Sequence, residues 1–460
     1  MPQQQPALHR GLEERHINLM ALGAAVGVGL FLGSAGAIAT AGPAILLSYA
    51  MAGVAIFFIM RSLGEMAVAN PVSGTFSRYA QDYLGPLPGY LTGWTYWFTA
   101  LVGGMCEITA VGIYMNIWFP HGPLWVWALA ALGVVTTVNF IAVKAYGELE
   151  FWFALIKVVT IILMILIGAV MITTGLGNGG VATGISNLWT HGGFMPNGIS
   201  GMLKALPMVM FAYQGIEMLG VTAGEAKDPA KTLSRAVNSV FWRVLIFYVG
   251  ALFVIMSLYP WDQIGTQGSP FVLTFDRLGI RSAAGVVNFV VLTAALSSCN
   301  SNIYGTSRLL NSLAVQQQAP AIFSRISRRG IPAVALLFSS GCALIGVLLN
   351  YVAPKEVFVW LTAVSTFGAI WTWCIILLSQ YRFRQAQARG ATGLSFRVPL
   401  FPYGSFFAGG FLLLILGLMA FYPETRIAVV VGPIWIMSLV CMYFIIGYHK
   451  VNPAYAKRAL

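Results

Sequence analysis

Apolar runs of about 20 residues recur along the whole chain, separated by short polar stretches, and each is long enough to cross a hydrocarbon layer of roughly 30 Å as a helix. They fall at 17–40, 43–67, 87–118, 123–143, 150–174, 199–222, 240–260, 283–314, 332–352, 356–380, 404–422 and 428–447. In lipid the backbone of a spanning segment must satisfy its own hydrogen bonds, so the runs predict helices and the chain an all-α integral membrane protein with 12 transmembrane helices. The first run, Ile17 to Thr40, follows a polar stretch and exceeds a signal-peptide core in length; it reads as a first span and not as a cleavable leader.

Two runs are interrupted where a plain structural helix would be continuous. The first contains Gly23-Ala24-Ala25-Val26-Gly27-Val28-Gly29-Leu30-Phe31, then Gly33 and Gly36; the sixth contains Phe211-Ala212-Tyr213-Gln214-Gly215-Ile216-Glu217. A glycine in a helix interior costs about 1 kcal/mol relative to alanine, so closely spaced glycines near a midplane require a reason. Close packing of small residues is one. A dinucleotide-binding loop is excluded, because no strand precedes the run and it lies within the membrane. Unwinding is the preferred reading. The second half of a broken helix begins with free amides and a positive dipole suited to a carboxylate; the first half ends in free carbonyls suited to an ammonium. Interrupted spans at matching places in two halves of a chain mark a transporter binding site, and spans 1 and 6 begin two five-helix blocks.

Composition sharpens the class. Of 460 residues, 58% are apolar and 9% charged, whereas a soluble domain carries about 25% charged residues. With the N-terminus in the cytoplasm, only Lys204, Arg277, Arg281, Lys355 and Arg426 of the 26 lysines and arginines fall toward the outside. That bias places both termini inside, and the net charge of +12 is a topogenic signal, not a nucleic-acid footprint. The cysteines at 106, 299, 342, 374 and 441 lie in apolar runs without metal-ligand spacing. The longest outer loop, Gly175 to Ile199, is glycine-rich and reads as a lid or spacer.

A family resemblance rests on particular residues. Gly27-Val28-Gly29-Leu30-Phe31 resembles the first-helix motif of the amino acid–polyamine–organocation superfamily. The similarity continues through Gly64-Glu65-Met66, Gly147-Glu148-Leu149-Glu150-Phe151-Trp152, Gly224-Glu225-Ala226-Lys227-Asp228-Pro229, Ser269-Pro270-Phe271 and Asn288-Phe289-Val290-Val291-Leu292-Thr293. Together these resemble the bacterial amino acid transporter family of proton symporters, nearest its threonine/serine and D-serine/alanine/glycine branches, with proline, histidine and aromatic permeases as near relatives. The resemblance implies a LeuT-type 5+5 inverted repeat plus two peripheral helices, with helices 1 and 6 broken. The implied order is a cytoplasmic N-terminus (1–16), a first repeat (17–175), a second repeat with the outer loop (176–380), helices 11 and 12 (381–447) and a cytoplasmic C-terminus (448–460). It further implies backbone recognition of the substrate carboxylate by Val28, Gly29 and Leu30, and of its amino group by Ala25, Phe211 and Gln214. Gly104, Glu107, Phe211, Tyr213 and Trp360 would line or gate the pocket; for the aromatics, including Trp97, membrane-interface belts are the competing explanation.

Ionisable residues deep in the spans are few and each is expensive there: Glu107, Lys157 and Glu217. Lys157 either snorkels to an interface or is a desolvated lysine in the place of a sodium ion, as in proton-coupled relatives, with Ser297 and Ser298 as its partners; those serines otherwise serve as helix glue. Glu217 either braces spans 1 and 6 or cycles a proton, and Glu107 divides between proton coupling and helix–helix bonding. Histidines 9, 16, 121, 191 and 449 lie near or beyond span ends, which argues against a histidine relay.

The expected function is proton-coupled import of an amino acid across a bacterial inner membrane. The substrate is expected to be neutral, because no acidic or basic pair marks a charged side chain, with exchange of one amino acid for another as the rival. No catalytic cluster suggests an enzyme, no continuous polar run a channel, and no signalling tail a sensor. No cofactor beyond the coupling proton, no metal, no nucleic acid and no obligate protein partner is implied; the partners are the amino acid and the bilayer.

Overall fold

The computed structural model describes residues 26–70, 75–141, 146–176, 180–217, 237–239, 242, 244–265, 268–277, 279–327, 330–387 and 396–448, and the regular structure among them is helical throughout. Eight helical stretches are long and apolar enough to cross a membrane, and Leu124–Phe140, Gly198–Ala212 and Leu245–Leu258 are shorter apolar helices.

The chain emerges from Val26-Gly27 into a wide π turn, Gly29–Gly33, and then α1 (Ser34–Ala41). Gly42, at φ +61°, reverses it into α2 (Ile45–Ala69). A short helix α3 (Thr75–Leu84) lies where the sequence predicts a loop; its polar composition hides it from a hydropathy reading. Next come α4 (Pro86–Trp118), α5 (Leu124–Ile141) and α6 (Tyr146–Thr174). Pro86 at the first position of α4 gives up an amide that a helix start leaves unbonded anyway.

The loop after α6 carries a short helical turn, α7 (Asn187–Thr190), before α8 (Gly198–Ala212). Side chain-to-backbone hydrogen bonds pin this loop. Asn187 Nδ2 donates to Ser257 O at 2.9 Å, Trp261 Nε1 to His191 O at 2.9 Å, and Asn197 Nδ2 to Thr40 O at 2.9 Å. The loop is therefore a strap joining the end of α1 to the end of the seventh predicted span. That span begins as a π turn, Val244–Gly250, and continues as α9 (Ala251–Leu258). After α10 (Pro270–Arg277) come α11 (Arg281–Val315), α12 (Ala333–Val352), α13 (Val357–Gln387), α14 (Tyr403–Phe421) and α15 (Arg426–Ile445).

α4 is the hub, packed against α3, α5, α11, α12, α13 and α15. Its neighbours approach closely where glycines permit: a Cβ on Gly346 would meet Met105 Cγ at 2.7 Å. The periphery is the converse, with Leu166 and Ile167 on α6, Leu413 on α14, and Val430, Ile434 and Met437 on α15 all exposed. So dense an apolar surface has a favourable neighbour in lipid and none in water.

Candidate functional site

The two interrupted segments meet. A Cβ on Gly29 would lie 2.6 Å from Ala212 Cα and 3.1 Å from Ala212 N, so the first break packs backbone to backbone against the last residue of α8. No side chain fits between them, which accounts for glycine at this position.

On the first segment, the amides of Leu30 and Phe31 both donate to Gly27 O, at 3.1 and 3.2 Å. Gly27 is thus the helix start, and the amides just after it precede the intrahelical ladder. Gly29 is the donor so placed, while the Leu30 amide is committed to Gly27 O and the Val28 amide to the Glu107 carboxylate. Ala25 lies outside the described residues. On the second segment α8 stops at Ala212, and Tyr213–Glu217 form turns around Gly215, at φ +92°. The Phe211 carbonyl accepts the Gln214 amide at 3.0 Å, and a carbonyl retains a second lone pair.

Side chains fix these turns. Tyr248 Oη donates to Ala212 O at 2.9 Å and Tyr213 Oη to Tyr49 O at 2.8 Å, within a buried trio of tyrosine rings. Tyr213 therefore braces the break from behind. Glu217 accepts the Gly215 amide at 3.3 Å and Trp373 Nε1 at 3.4 Å. Gln214 reaches α13: its Nε2 donates to Ser365 O at 3.2 Å and its Oε1 accepts Ser365 Oγ at 2.9 Å. The Phe211 ring is buried edge-on to Phe358, 6.5 Å away, and Trp360 is half-buried two residues further along α13.

The ionisable residues converge on the first break. A Cβ on Gly27 would stand 3.4 Å from Glu107 Oε1 and 3.8 Å from Ser298 Oγ, and the Glu107 carboxylate also faces the Val28 amide. Lys157, 1% exposed, donates to Ser298 Oγ at 3.4 Å and acts electrostatically on Glu107. Ser297 is buried beside Ser298 on α11. Glu107, Lys157, Ser298 and the Gly27–Val28 backbone thus form one cluster, and Lys157 does not snorkel. Glu107 Oε2 has no hydrogen-bond partner among the described residues, leaving lone pairs able to take a proton or an ammonium hydrogen. A buried charge is tolerated when an opposite charge lies near it, which is the arrangement here. Gly104, one turn below Glu107, makes room for Asn302, whose Cβ would lie 3.5 Å from a Cβ there.

Ser365, Phe358, Trp373 and Tyr248 are absent from the sequence-based site. The run Thr362, Ser365, Thr366 and Thr372 in an otherwise apolar span is the one signal that points toward α13.

Comparison with known proteins follows the same lines. The family model described as amino acid permease matches residues 16–454. The chain is 62% identical over 457 residues to the uncharacterized amino acid permease YtnA of Bacillus subtilis (strain 168), covering 99% of each protein. It is 47% identical to the probable threonine/serine transporter YbxG of the same organism, covering 97% of each. To its amino-acid permease AapA it is 44% identical, over 96% of this chain and 95% of that one.

Proposed function

Because the chain belongs to the amino acid permease family and is a multi-pass membrane transporter of amino acids, we propose that it imports a neutral amino acid together with a proton by alternating access. Threonine, serine, alanine or glycine is the first choice of substrate. The relative described as a probable threonine/serine transporter supports that choice. The reading includes 12 spans with a LeuT-type inverted repeat, both termini in the cytoplasm and residence in a bacterial inner membrane.

One observation carries it: the buried cluster of Glu107, Lys157 and Ser298 against the Gly27–Val28 break. The break offers amides for a substrate carboxylate, and the turn after α8 offers carbonyls for its ammonium. A lysine held beside the same backbone occupies the ground a sodium ion would need. Its proton, and the one Glu107 can take, are the exchangeable charges when access alternates between acidic and neutral faces.

The test is uptake of a labelled neutral amino acid into proteoliposomes under an imposed pH gradient, sodium-free, with competition by all the common amino acids. Accumulation driven by external acidification and abolished by a protonophore is the expected result. Counterflow that is indifferent to the gradient would replace symport with exchange.

A further inference from the structure

The motif Gly64-Glu65-Met66, at the end of α2, lies far from the substrate cluster, yet it is the most heavily bonded carboxylate site among the described residues. Glu65 is fully buried. Arg384 grips it bidentately through Nε and Nη2, the latter at 2.7 Å; Gln380 Nε2 donates to Oε1 at 3.2 Å and the Val398 amide to Oε2 at 2.5 Å. A Cβ on Gly64 would stand 3.0 Å from the Phe396 ring and 3.2 Å from Val237 Cγ2, so glycine lets both settle against the helix. Arg61 lies over the same Phe396 ring at 3.9 Å and donates to Asn238 Oδ1 at 2.6 Å.

Arg384 and Gln380 belong to α13, which also holds the turn after α8 through Ser365 and Trp373. At about 100° per residue, positions 373, 380 and 384 lie roughly 80°, 60° and 100° around α13 from 365, so the four side chains share one broad side of the helix. That side is bonded to the turn after α8 through Gln214 and Glu217, and to the end of α2 through Glu65.

We infer that Glu65 and Arg384 form a latch that seals the face of the protein at the end of α2, the cytoplasmic face in the proposed orientation, and that it opens once per transport cycle. The inference rests on the transport reading. Its physical basis is the balance peculiar to buried ion pairs: attraction in a dry interior is nearly offset by lost hydration, so making or breaking the pair with entry of water changes the free energy little. A contact of that kind holds register when closed without trapping the protein there. Removing one charge alone leaves the other buried and uncompensated, which favours hydration and opening. Removing both lets the face close again.

Two native thiols report the opening. Cys106 and Cys299 are fully buried, and both lie within electrostatic reach of Glu107. In a protein carrying Cys342→Ser, Cys374→Ser and Cys441→Ser, they are labelled with a membrane-impermeant maleimide from each face in turn. Glu65→Gln and Arg384→Gln are each expected to raise labelling from the face at the end of α2 about tenfold or more, leaving the other face unchanged. The double variant Glu65→Gln/Arg384→Gln should return toward the parent rate. Unchanged labelling in both single variants overturns the latch; so does fast labelling from both faces, which signals a loosened fold. The parent protein separately tests the transport reading: its labelling should respond to a saturating mixture of neutral amino acids, whatever the latch variants do.

Discussion

Replacement of Gly29 by alanine tests the meeting of the two breaks with a single methyl group. The added Cβ would lie 2.6 Å from Ala212 Cα and 3.1 Å from Ala212 N, against an optimal carbon–carbon separation of roughly 3.5–4.0 Å. Relief requires the two backbones to part by about an ångström. Ala212 cannot retreat freely, because its carbonyl is held by Tyr248 and the next residue by the bond from Tyr213 Oη to Tyr49 O. Overpacking of this kind costs about 1–3 kcal/mol. If that cost falls on the substrate-bound geometry, affinity drops by about five- to 150-fold. Uptake by Gly29→Ala is measured at matched membrane abundance, with Gly36→Ala as the internal control. A Cβ on Gly36 meets nothing within 4 Å, so that variant should transport normally, with helix stability raised by up to about 1 kcal/mol. Adding Ala212→Gly should not rescue Gly29→Ala, because the nearest clashing atom is the Ala212 Cα, which the second change leaves in place. Wild-type uptake by Gly29→Ala would refute the close contact and, with it, the placement of the substrate head group at the break.

Lys157→Gln should abolish concentrative uptake while leaving some exchange, and Lys157→Arg should do the same, because arginine keeps its proton under all relevant conditions; accumulation by the glutamine variant under a proton gradient would remove Lys157 from the coupling step. Ser298→Ala deletes one hydrogen bond of 3.4 Å to that ammonium, and an effect well below that of Lys157→Gln is expected in the same assay. Gly368→Leu would force a side chain into Thr99, whose Oγ1 already blocks the position of a Cβ; the melting temperature in detergent should fall by several degrees, and an unchanged melting profile would contradict the packing of α13 on α4. A reporter fused after Leu460 should read as cytoplasmic and one near Gly180 as external; the opposite result reverses the proposed orientation and moves the latch to the outer face.

Much of the architecture was legible because lipid removes choices. A run of apolar residues that must span the bilayer can only be helical, so predicted limits such as 87–118 and 332–352 fall within a residue of Pro86–Trp118 and Ala333–Val352. The irregular points were legible for a related reason: glycine is costly in a helix, and among the described residues Gly27 precedes the first helix and Gly215 sits in the turns after α8. Helix α3 was not legible, since ten amphipathic residues carry no spanning signal. The strap formed by the loop between α6 and α8 depends on side chain-to-backbone bonds that periodicity does not encode.

The partnerships within the site mark the boundary of sequence reasoning. Hydropathy and helical period constrain residues within a few turns of one another, whereas the contacts that define this site join positions far apart in the chain: Lys157 with Ser298, Gln214 with Ser365, Glu65 with Arg384. A sequence can nevertheless show that such partners must exist, because an ionisable group inside the membrane demands one. Glu107, Lys157, Glu217 and Glu65 each meet that demand in a different currency: a facing ammonium, a serine hydroxyl, a backbone amide with an indole, and a bidentate guanidinium. The difference bears on mechanism. Glu65 has bonds to both oxygens, which suits it to hold position, whereas Glu107 has an oxygen with no hydrogen-bond partner among the described residues, open to a proton. If transport moves a proton, the carboxylate with the open oxygen is where its arrival changes the bonding least, and the fully bonded carboxylate is where a conformational change must break the most.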